Sequence, residues 1–251
     1  MTVKNYFNLI NPMASEYMTS KSLKINRFNQ SLSTKNKKGE NIHSEDMFER
    51  AYGTRDWKWY RNLLATCIQY GMPGTWIDLG AGLGLFVECA QRFGINCIGL
   101  EGSEYAVKAA KQRFPSINMF RHFLEDALPF RDNTISTVVC HQSIEHIRAS
   151  TATFVLKESH RVLKSRGAII IHSPSSYNRK QRNEGSHINL YTPTRLENEL
   201  IGAGFEKIIS MNSPLHILGN SRISVFMMNV IFRLCPLDFL SSSANCRAYK
   251  V

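Results

Sequence analysis

The sequence lacks paired cysteines of the kind that hold a zinc ion or build a disulfide framework. Its six cysteines are scattered, and no two stand in a C-x-x-C pair: Cys67, Cys89, Cys97, Cys140, Cys235 and Cys246. This spacing predicts reduced thiols, and we therefore expect a cytoplasmic location.

The sequence also lacks an uninterrupted apolar run of the ~20 residues that a membrane-spanning helix needs. A strongly apolar stretch at 223–240 is interrupted by Arg233, Pro236 and Asp238. Its apolar side chains follow helical spacing: Ile223, Phe226, Met227, Val230, Ile231 and Leu234. We predict a helical insertion before the last strand that is buried against the main domain. A peripheral membrane contact or a wall for a lipid-like ligand is the alternative. No secretory signal is expected, because no long apolar core follows Lys4.

Acidic residues are fewer than basic ones, 20 against 31, which gives a formal net charge of +11. Nucleic acid, an anionic lipid surface or an acidic small molecule would be compatible partners for this charge. Residues 1–44 contribute seven Lys and Arg but only Glu16 and Glu40, and they have few periodic apolar positions. We predict a basic N-terminal arm over 1–44, either a lid or a disordered tail.

From residue 45 onward, helical and extended patterns alternate. Hydrophobic residues make up 43% of the chain, as in ordinary globular proteins. A helical pattern over 45–70, with a break near Gly53, precedes seven strand-like segments: 75–79, 95–100, 117–121, 135–140, 168–172, 205–211 and 245–250. Ser103 and Thr192 are candidate helix caps between them. The alternation predicts one α/β domain over 45–251, with a mostly parallel sheet and helices on both faces.

A glycine-rich loop, D-L-G-A-G-L-G at 78–84, follows the first predicted strand. Its glycines allow a tight turn into the next helix and let a ligand approach the backbone. Glu101 ends the second strand, where a carboxylate can accept both hydroxyls of a ribose. Asp78 suits a ligand that carries an ammonium group. Leu85 stands where the dinucleotide fingerprint has its third glycine, which disfavours pyrophosphate binding.

Five segments, in this order and spacing, resemble the class I S-adenosylmethionine-dependent methyltransferases. They are WIDLGAGLG at 76–84, GLEGS at 99–103, ALPFRD at 127–132, SIEHI at 143–147 and RVLK at 161–164. Within that superfamily the chain is similar to the small-molecule group that includes the ubiquinone-pathway O-methyltransferases. The resemblance implies a Rossmann-like, seven-stranded sheet with an antiparallel last strand. It also implies S-adenosylmethionine as cofactor and S-adenosylhomocysteine as product.

The resemblance further implies which residues contact the cofactor. The methionine end would be held by Asp78 and by the backbone of Gly80, Ala81, Gly82 and Gly84. Glu101 would bind the ribose, with Gly102 and Ser103 beside the adenine and His141 nearby. The acid that often contacts the adenine amino group aligns with Leu124, so Glu125 or Asp126 would have to replace it.

The segment after the fourth strand, HQSIEH at 141–146, is where the methyl group and its acceptor meet in this fold. A neutral histidine can remove the proton of an acceptor hydroxyl or amine near pH 7. We therefore predict His146 and His141 as candidate bases and Gln142 as an acceptor contact. The alternative is that Glu145 and His146 support the loop or the cofactor.

Two further regions are predicted to border the acceptor. The segment at 187–193, His-x-x-x-aromatic-Thr-Pro, resembles the small-molecule group, which makes His187 a second candidate base and Tyr191 an acceptor contact. A histidine that only holds this loop is the alternative. Tyr52, in the helical region before the first strand, is the third candidate contact.

No metal is predicted. In some relatives of the ubiquinone pathway, acids and a Glu-His pair surround a divalent cation. Here Ser143 and its neighbours supply none of the additional carboxylates that an oxygen-rich site needs.

Three functions remain open at this point. The first is methylation of oxygen or nitrogen on a small or lipid-like metabolite. The second is methylation of RNA such as tRNA, which the net charge of +11 favours. The third is a non-catalytic partner protein that binds S-adenosylmethionine. No Asn/Asp-Pro-Pro-aromatic motif or Pro-Cys nucleophile follows the fourth strand, which disfavours the polymer amino-methylating and cytosine-methylating classes.

Overall fold

The computed structural model describes residues 57–212, 227, 230–231 and 237–251, and all structural statements below concern these residues. The predicted basic arm at 1–44, the candidate contact Tyr52 and most of the apolar insertion at 223–240 lie outside them.

The described chain alternates helices and strands, as expected. Its helices are α1 (Trp57–Tyr70), α2 (Leu85–Arg92), α3 (Glu104–Arg113), α4 (Ala149–Val162), α5 (Arg179–Arg182) and α6 (Pro193–Gly202). Its strands are β1 (Trp76–Leu79), β2 (Cys97–Glu101), β3 (Met119–Arg121), β4 (Ile135–His141), β5 (Leu163–Pro174), β6 (Glu206–Ser210) and β7 (Ser243–Tyr249). Two 3₁₀ turns, Ile144–His146 and Asp238–Leu240, complete the described elements.

All seven strands form one sheet in the order β3-β2-β1-β4-β5-β7-β6. The pairs on the β3 side of β5 are parallel, and β7 lies antiparallel between β5 and β6. The chain reverses its direction of strand addition at β1 and β4, which is where an open α/β sheet binds its ligand. The predicted Rossmann-like sheet, with an antiparallel last strand, is confirmed.

Alternate side chains of the central strands enter two separate apolar cores, one on each face of the sheet. On one face, Ile77 and Val138 pack with α4 and α6. On the other face, Trp76, Val139 and Ile170 pack with α1, α2 and α3. Strands covered on both faces are buried almost throughout, as β4 is, and such strands are typical of a parallel sheet.

Local capping explains where two of the helices begin. The Oγ atom of Ser103 accepts the N–H of Ala106 at 3.3 Å, and the Oγ1 atom of Thr192 accepts the N–H of Arg195 at 3.1 Å. These bonds satisfy backbone donors that have no partner within the first turn of α3 and α6. Both predicted caps are therefore confirmed.

The apolar insertion differs from its prediction where it is described. Met227, Val230 and Ile231 are helical, as their spacing predicts, but their side chains are 49%, 39% and 39% exposed. The prediction that this helix is buried is wrong for these three residues, because helical spacing defines an apolar face without defining what covers it. No helix among the described residues is both long enough and apolar enough to cross a membrane.

Candidate functional site

Two buried carboxylates lie on the neighbouring strands β1 and β2, on the side of the sheet where parallel strands end. Asp78 is 4% exposed and Glu101 is 5% exposed. The Oε2 atom of Glu101 accepts the N–H of Gly82, and its Oε1 atom accepts the N–H of Ser103, both at 2.8 Å. Glu101 therefore joins the glycine loop to the N-terminal cap of α3 and holds both segments at one carboxylate.

The glycine loop adopts a backbone conformation that side chains disfavour. Gly80, Gly82 and Gly84 have φ values of 70°, 54° and 72°. A Cβ atom on Gly80 would lie 2.5 Å from the Oγ atom of Ser143, which itself lies 3.3 Å from the carbonyl oxygen of Gly80. The glycine loop thus packs directly against the turn after β4, and glycine is required at position 80 by both conformation and space.

Burial dominates the electrostatics of Asp78. Removal from water raises the pKa of its carboxyl well above the usual range, and the nearby Glu101 carboxylate raises it further. Burial likewise raises the pKa of the Cys67 and Cys140 thiols, which therefore stay protonated. A cationic ligand beside Asp78 would favour the charged carboxylate. The amino group of S-adenosylmethionine is such a ligand, so the residues present fit this cofactor.

The predicted adenine side of the site is only partly enclosed. Ser103 is buried and caps α3, and Gly102 and Leu124 are half-buried. Glu125 and Asp126 are exposed, so their side chains do not line a buried pocket in this structure. Their contact with the adenine stays a prediction.

Two of the predicted bases, His146 and His187, form a pair although they are distant in sequence. Their ring centroids are 4.8 Å apart. The Nδ1 atom of His146 lies 3.0 Å from the carbonyl oxygen of Ser186, and the Nδ1 atom of His187 lies 3.0 Å from that of Gln181. A carbonyl can only accept, so each Nδ1 carries the proton and each Nε2 of a neutral ring presents a lone pair.

Glu145 lies beside this pair and is fully buried. The hydroxyl of Ser173 donates to its Oε2 atom at 3.3 Å. Backbone bonds connect Glu145 to the segment that carries His187, because its carbonyl oxygen accepts the N–H groups of Ile188 and Asn189, each at 3.0 Å. These bonds explain how the turn after β4 and the loop after β5 bring Glu145, His146 and His187 together.

The third predicted base, His141, contacts a different group of rings. Its ring meets that of Trp59 in α1 edge-on at 5.1 Å and that of His172 at 5.4 Å. His141 and His172 are register partners on β4 and β5, so both rings project from one face of the sheet. The structure therefore separates the predicted histidines into two clusters, one at His141 and one at His146.

His172 is a candidate that the sequence interpretation missed. It is 9% exposed, its Nδ1 atom has no hydrogen-bond partner among the described residues, and burial lowers its pKa to about 4. A neutral, buried imidazole of this kind is a candidate ligand contact. The sequence did contain a signal for this candidate, because His172 is the last residue of the predicted strand 168–172 and ligands bind where parallel strands end.

Tyr191 does not fit its predicted role as an acceptor contact. It is fully buried, its hydroxyl accepts from Asn189 at 2.9 Å and bonds Glu199 at 3.2 Å, and the Arg195 guanidinium lies 4.5 Å from its ring centre. These contacts leave it no surface for an acceptor, so Tyr191 anchors the His187 segment instead. Gln142 is half-buried and turns the chain after β4 with a φ of 54°.

Comparisons with known proteins agree with this geometry. Residues 77–171 match a family model described as a methyltransferase domain. A search of curated proteins finds no match.

Solved structures of methyltransferases share the fold of this domain. A SAM-dependent methyltransferase from Archaeoglobus fulgidus has a TM-score of 0.64 at 18% identity, over 82% of this chain and 99% of that one. A phosphoethanolamine N-methyltransferase 2 from Haemonchus contortus, solved with S-adenosylmethionine, has a TM-score of 0.61 at 15% identity, over 83% of this chain and 58% of that one. A putative methyltransferase in complex with the Trm112 activator from Haloferax volcanii has a TM-score of 0.57 at 16% identity, over 80% and 93%.

The predictions of a methyltransferase and of S-adenosylmethionine as its cofactor are confirmed by these matches. The finer grouping with the ubiquinone-pathway O-methyltransferases has no support among them, and the roles of the individual site residues stay predictions.

We expect Glu101→Gln to weaken binding of S-adenosylhomocysteine by about 10- to 100-fold, because an amide retains only one acceptor oxygen and loses its charge. Isothermal titration calorimetry measures the change. Glu104→Gln is the matched control, since Glu104 is exposed and pairs only with surface residues. Equal affinities of Glu101→Gln and the wild type would contradict the assignment.

We expect Asp78→Asn to stabilise the ligand-free protein at neutral pH. The pKa of Asp78 is higher in the folded than in the unfolded state, so the folded state holds the proton more tightly. The wild type therefore loses stability as pH rises from the unfolded pKa of about 4 towards the folded pKa. Asparagine has no such loss. Urea unfolding across this range should show the advantage of Asp78→Asn growing with pH, whereas exposed Glu206→Gln should show no such trend. A pH-independent difference would refute this explanation.

Proposed function

We propose that this chain transfers the methyl group of S-adenosylmethionine to an oxygen or nitrogen atom of a small or lipid-like metabolite. The observation that carries the proposal is the pair His146 and His187, whose Nδ1 atoms bond to backbone carbonyls. When these rings are neutral, such bonding places the proton on Nδ1 and the lone pair on Nε2, on the two segments that follow β4 and β5.

Asp78 and Glu101 are the residues that would hold the cofactor. Asp78 would face its ammonium group, and the charge of that group would relieve the cost of burying the Asp78 carboxylate. Glu101, oriented by the N–H groups of Gly82 and Ser103, would accept the ribose hydroxyls. The cofactor supplies an electrophilic methyl group on a sulfonium.

The chemistry is a direct displacement. The acceptor heteroatom donates a lone pair to the methyl carbon, the carbon–sulfur bond breaks, and its electrons return to sulfur in S-adenosylhomocysteine. The acceptor proton passes to the Nε2 atom of His146 or His187. Positioning of the two reactants supplies much of the acceleration in such a reaction, and proton removal adds roughly 10²- to 10⁴-fold.

The structural neighbours support more than one acceptor class. The Haemonchus contortus protein is named for a small-molecule nitrogen acceptor, which favours a metabolite. The Haloferax volcanii protein was solved with an activator protein, which leaves a partner-dependent enzyme as a second candidate. The net charge of +11 keeps RNA as an alternative acceptor.

The acceptor class can be tested with radiolabelled S-adenosylmethionine and fractionated cell extract from the native source. We expect enzyme-dependent label in organic-soluble or aqueous small-molecule fractions. Label in RNA, sensitive to salt, would overturn the metabolite proposal. Label in no fraction, from a protein that binds S-adenosylhomocysteine, would favour the non-catalytic alternative.

We expect His146→Ala and His187→Ala to lower kcat by roughly 10²- to 10⁴-fold while leaving the affinity for S-adenosylhomocysteine unchanged. Turnover is measured with the labelled fraction identified above, and affinity by calorimetry. His160→Ala is the control, because its ring packs against Phe205 and not in either histidine cluster. Full turnover in both variants would show that neither ring is the base.

A further inference from the structure

Two segments at one edge of the sheet expose apolar side chains. One is the loop at 175–191 that follows β5, and the other is the turn at 237–240 that precedes β7. Their exposed apolar side chains are Tyr177, Ile188, Leu237 and Phe239. Ile188 and Phe239 are more than half exposed, at 59% and 54%. Single exposed apolar residues are ordinary, but apolar residues gathered on one surface are typical of contacts with a protein or a membrane.

Strand direction and hydrogen bonds hold these two segments side by side. Since β7 is antiparallel to β5, the end of β5 lies beside the start of β7. The N–H of Ser175, at the start of the loop, donates to the carbonyl oxygen of Ser242 at 3.1 Å. The Oδ2 atom of Asp238 accepts the N–H of Thr194, three residues beyond the end of the loop, at 3.2 Å. The turn is therefore bonded near both ends of the loop, and we name the two together the loop-and-turn surface.

Basic side chains accompany the apolar ones on this surface. Arg179, Lys180 and Arg182 form most of α5, within the loop, and all three are exposed. Glu184 is the one acid between residues 175 and 191, which leaves a net charge of +2 on the loop with neutral histidine. Positive charge beside exposed apolar side chains favours a partner that is both anionic and apolar.

An anionic lipid bilayer has both properties. Aliphatic and aromatic side chains bury at the boundary between headgroups and acyl chains, while nearby Lys and Arg stay at the level of the phosphates. RNA matches the charge but offers no apolar phase for the aliphatic Ile188 and Leu237. We propose that the loop-and-turn surface docks on an anionic lipid bilayer, with Ile188, Leu237 and Phe239 inserted at the headgroup boundary.

The apolar stretch at 223–240 supports the same partner. The sequence permits two interpretations of it, burial against the domain or peripheral membrane contact. Met227, Val230 and Ile231 are helical and exposed, and their spacing of three and four residues places them on one face of the helix. An exposed apolar helical face, followed in sequence by the turn at 237–240, is typical of a segment that lies in a membrane interface.

Docking on this surface bears on which acceptor the chain would use. His187 lies in the same loop, directly before Ile188, so a bilayer at this surface would lie beside one of the two candidate bases. An amphipathic, lipid-like acceptor would then reach the site from the bilayer. This consequence rests on the proposed function, whereas docking itself does not.

Docking can be tested on the full chain without cofactor or acceptor. Sedimentation with vesicles of equal parts phosphatidylcholine and phosphatidylglycerol measures the bound fraction, and vesicles of phosphatidylcholine alone serve for comparison. We expect binding to the anionic vesicles that weakens as salt concentration rises, and binding to the neutral vesicles that is at least ~10-fold weaker.

Two double variants separate the apolar contribution from the electrostatic one. Ile188→Ser with Phe239→Ser should weaken vesicle binding by at least ~10-fold, because two side chains lose their burial in the bilayer. Arg179→Gln with Lys180→Gln should weaken it by roughly 25-fold, about 5-fold for each charge near the surface, and should reduce its dependence on salt.

The matched controls are exposed residues of the same kinds away from this surface. Ile201→Ser alters an exposed apolar residue at the far end of α6. Lys164→Gln with Arg166→Gln alters two exposed basic residues near the start of β5, the end opposite to the loop. Both controls should bind vesicles like the wild type. Calorimetry with S-adenosylhomocysteine verifies that every variant retains the fold.

Several results would overturn the proposal. These are no binding to the anionic vesicles, or equal weakening by the surface variants and the controls. A dimer in solution that Ile188→Ser with Phe239→Ser dissociates would instead make this surface an interface between two copies. Binding to tRNA that is lost in Arg179→Gln with Lys180→Gln but kept in the apolar variant would assign the surface to RNA.

The two proposals fail separately. Binding of S-adenosylhomocysteine without binding of vesicles would refute docking alone. Binding of vesicles without binding of S-adenosylhomocysteine would refute the proposed function and leave docking in place.

Discussion

The carboxylate of Glu101 accepts the N–H groups of Gly82 and Ser103, and the geometry of the cofactor region depends on these two bonds. They connect the loop after β1 to the helix after β2. Parallel pairing of β1 with β2 and with β4 places the following loops along one edge. Ser143, from the loop after β4, then packs against Gly80. The three loops are therefore positioned by each other before any ligand is bound.

The site carries an electrostatic cost that a ligand can remove. Asp78 is buried beside Glu101, and its pKa is raised as a result. Glu145 is buried beside the rings of His146 and His187. Burial makes the charged form of Asp78 unfavourable in the ligand-free protein, and a cationic group bound beside it would offset that cost.

Local patterns were sufficient for much of the fold. The caps Ser103 and Thr192 and the glycine loop depend on residues close in sequence, so their signals are visible there. Local sequence signals did not predict that Tyr191 is buried or that His172 is a candidate ligand contact. Tyr191 is enclosed by Asn189 and Glu199, which bond its hydroxyl, and by Arg195, which lies over its ring. His172 becomes a neighbour of His141 only because the two residues are register partners on β5 and β4. A side chain's exposure depends on what packs over it, which periodicity does not contain.

The sequence by itself determined the order of strands and helices, the glycine loop and the position of the two buried acids that are predicted to hold the cofactor. Hydrophobic periodicity, helix capping and the backbone conformation of glycine all act over a few residues, so their signals are local. Only the tertiary structure decided which histidines meet. His146 and His187 are separated by α4, β5 and α5, and backbone bonds from Ile188 and Asn189 to Glu145 bring their rings to 4.8 Å. Long-range proximity depends on how the sheet orders its strands, and the chemistry of the acceptor side depends on that proximity.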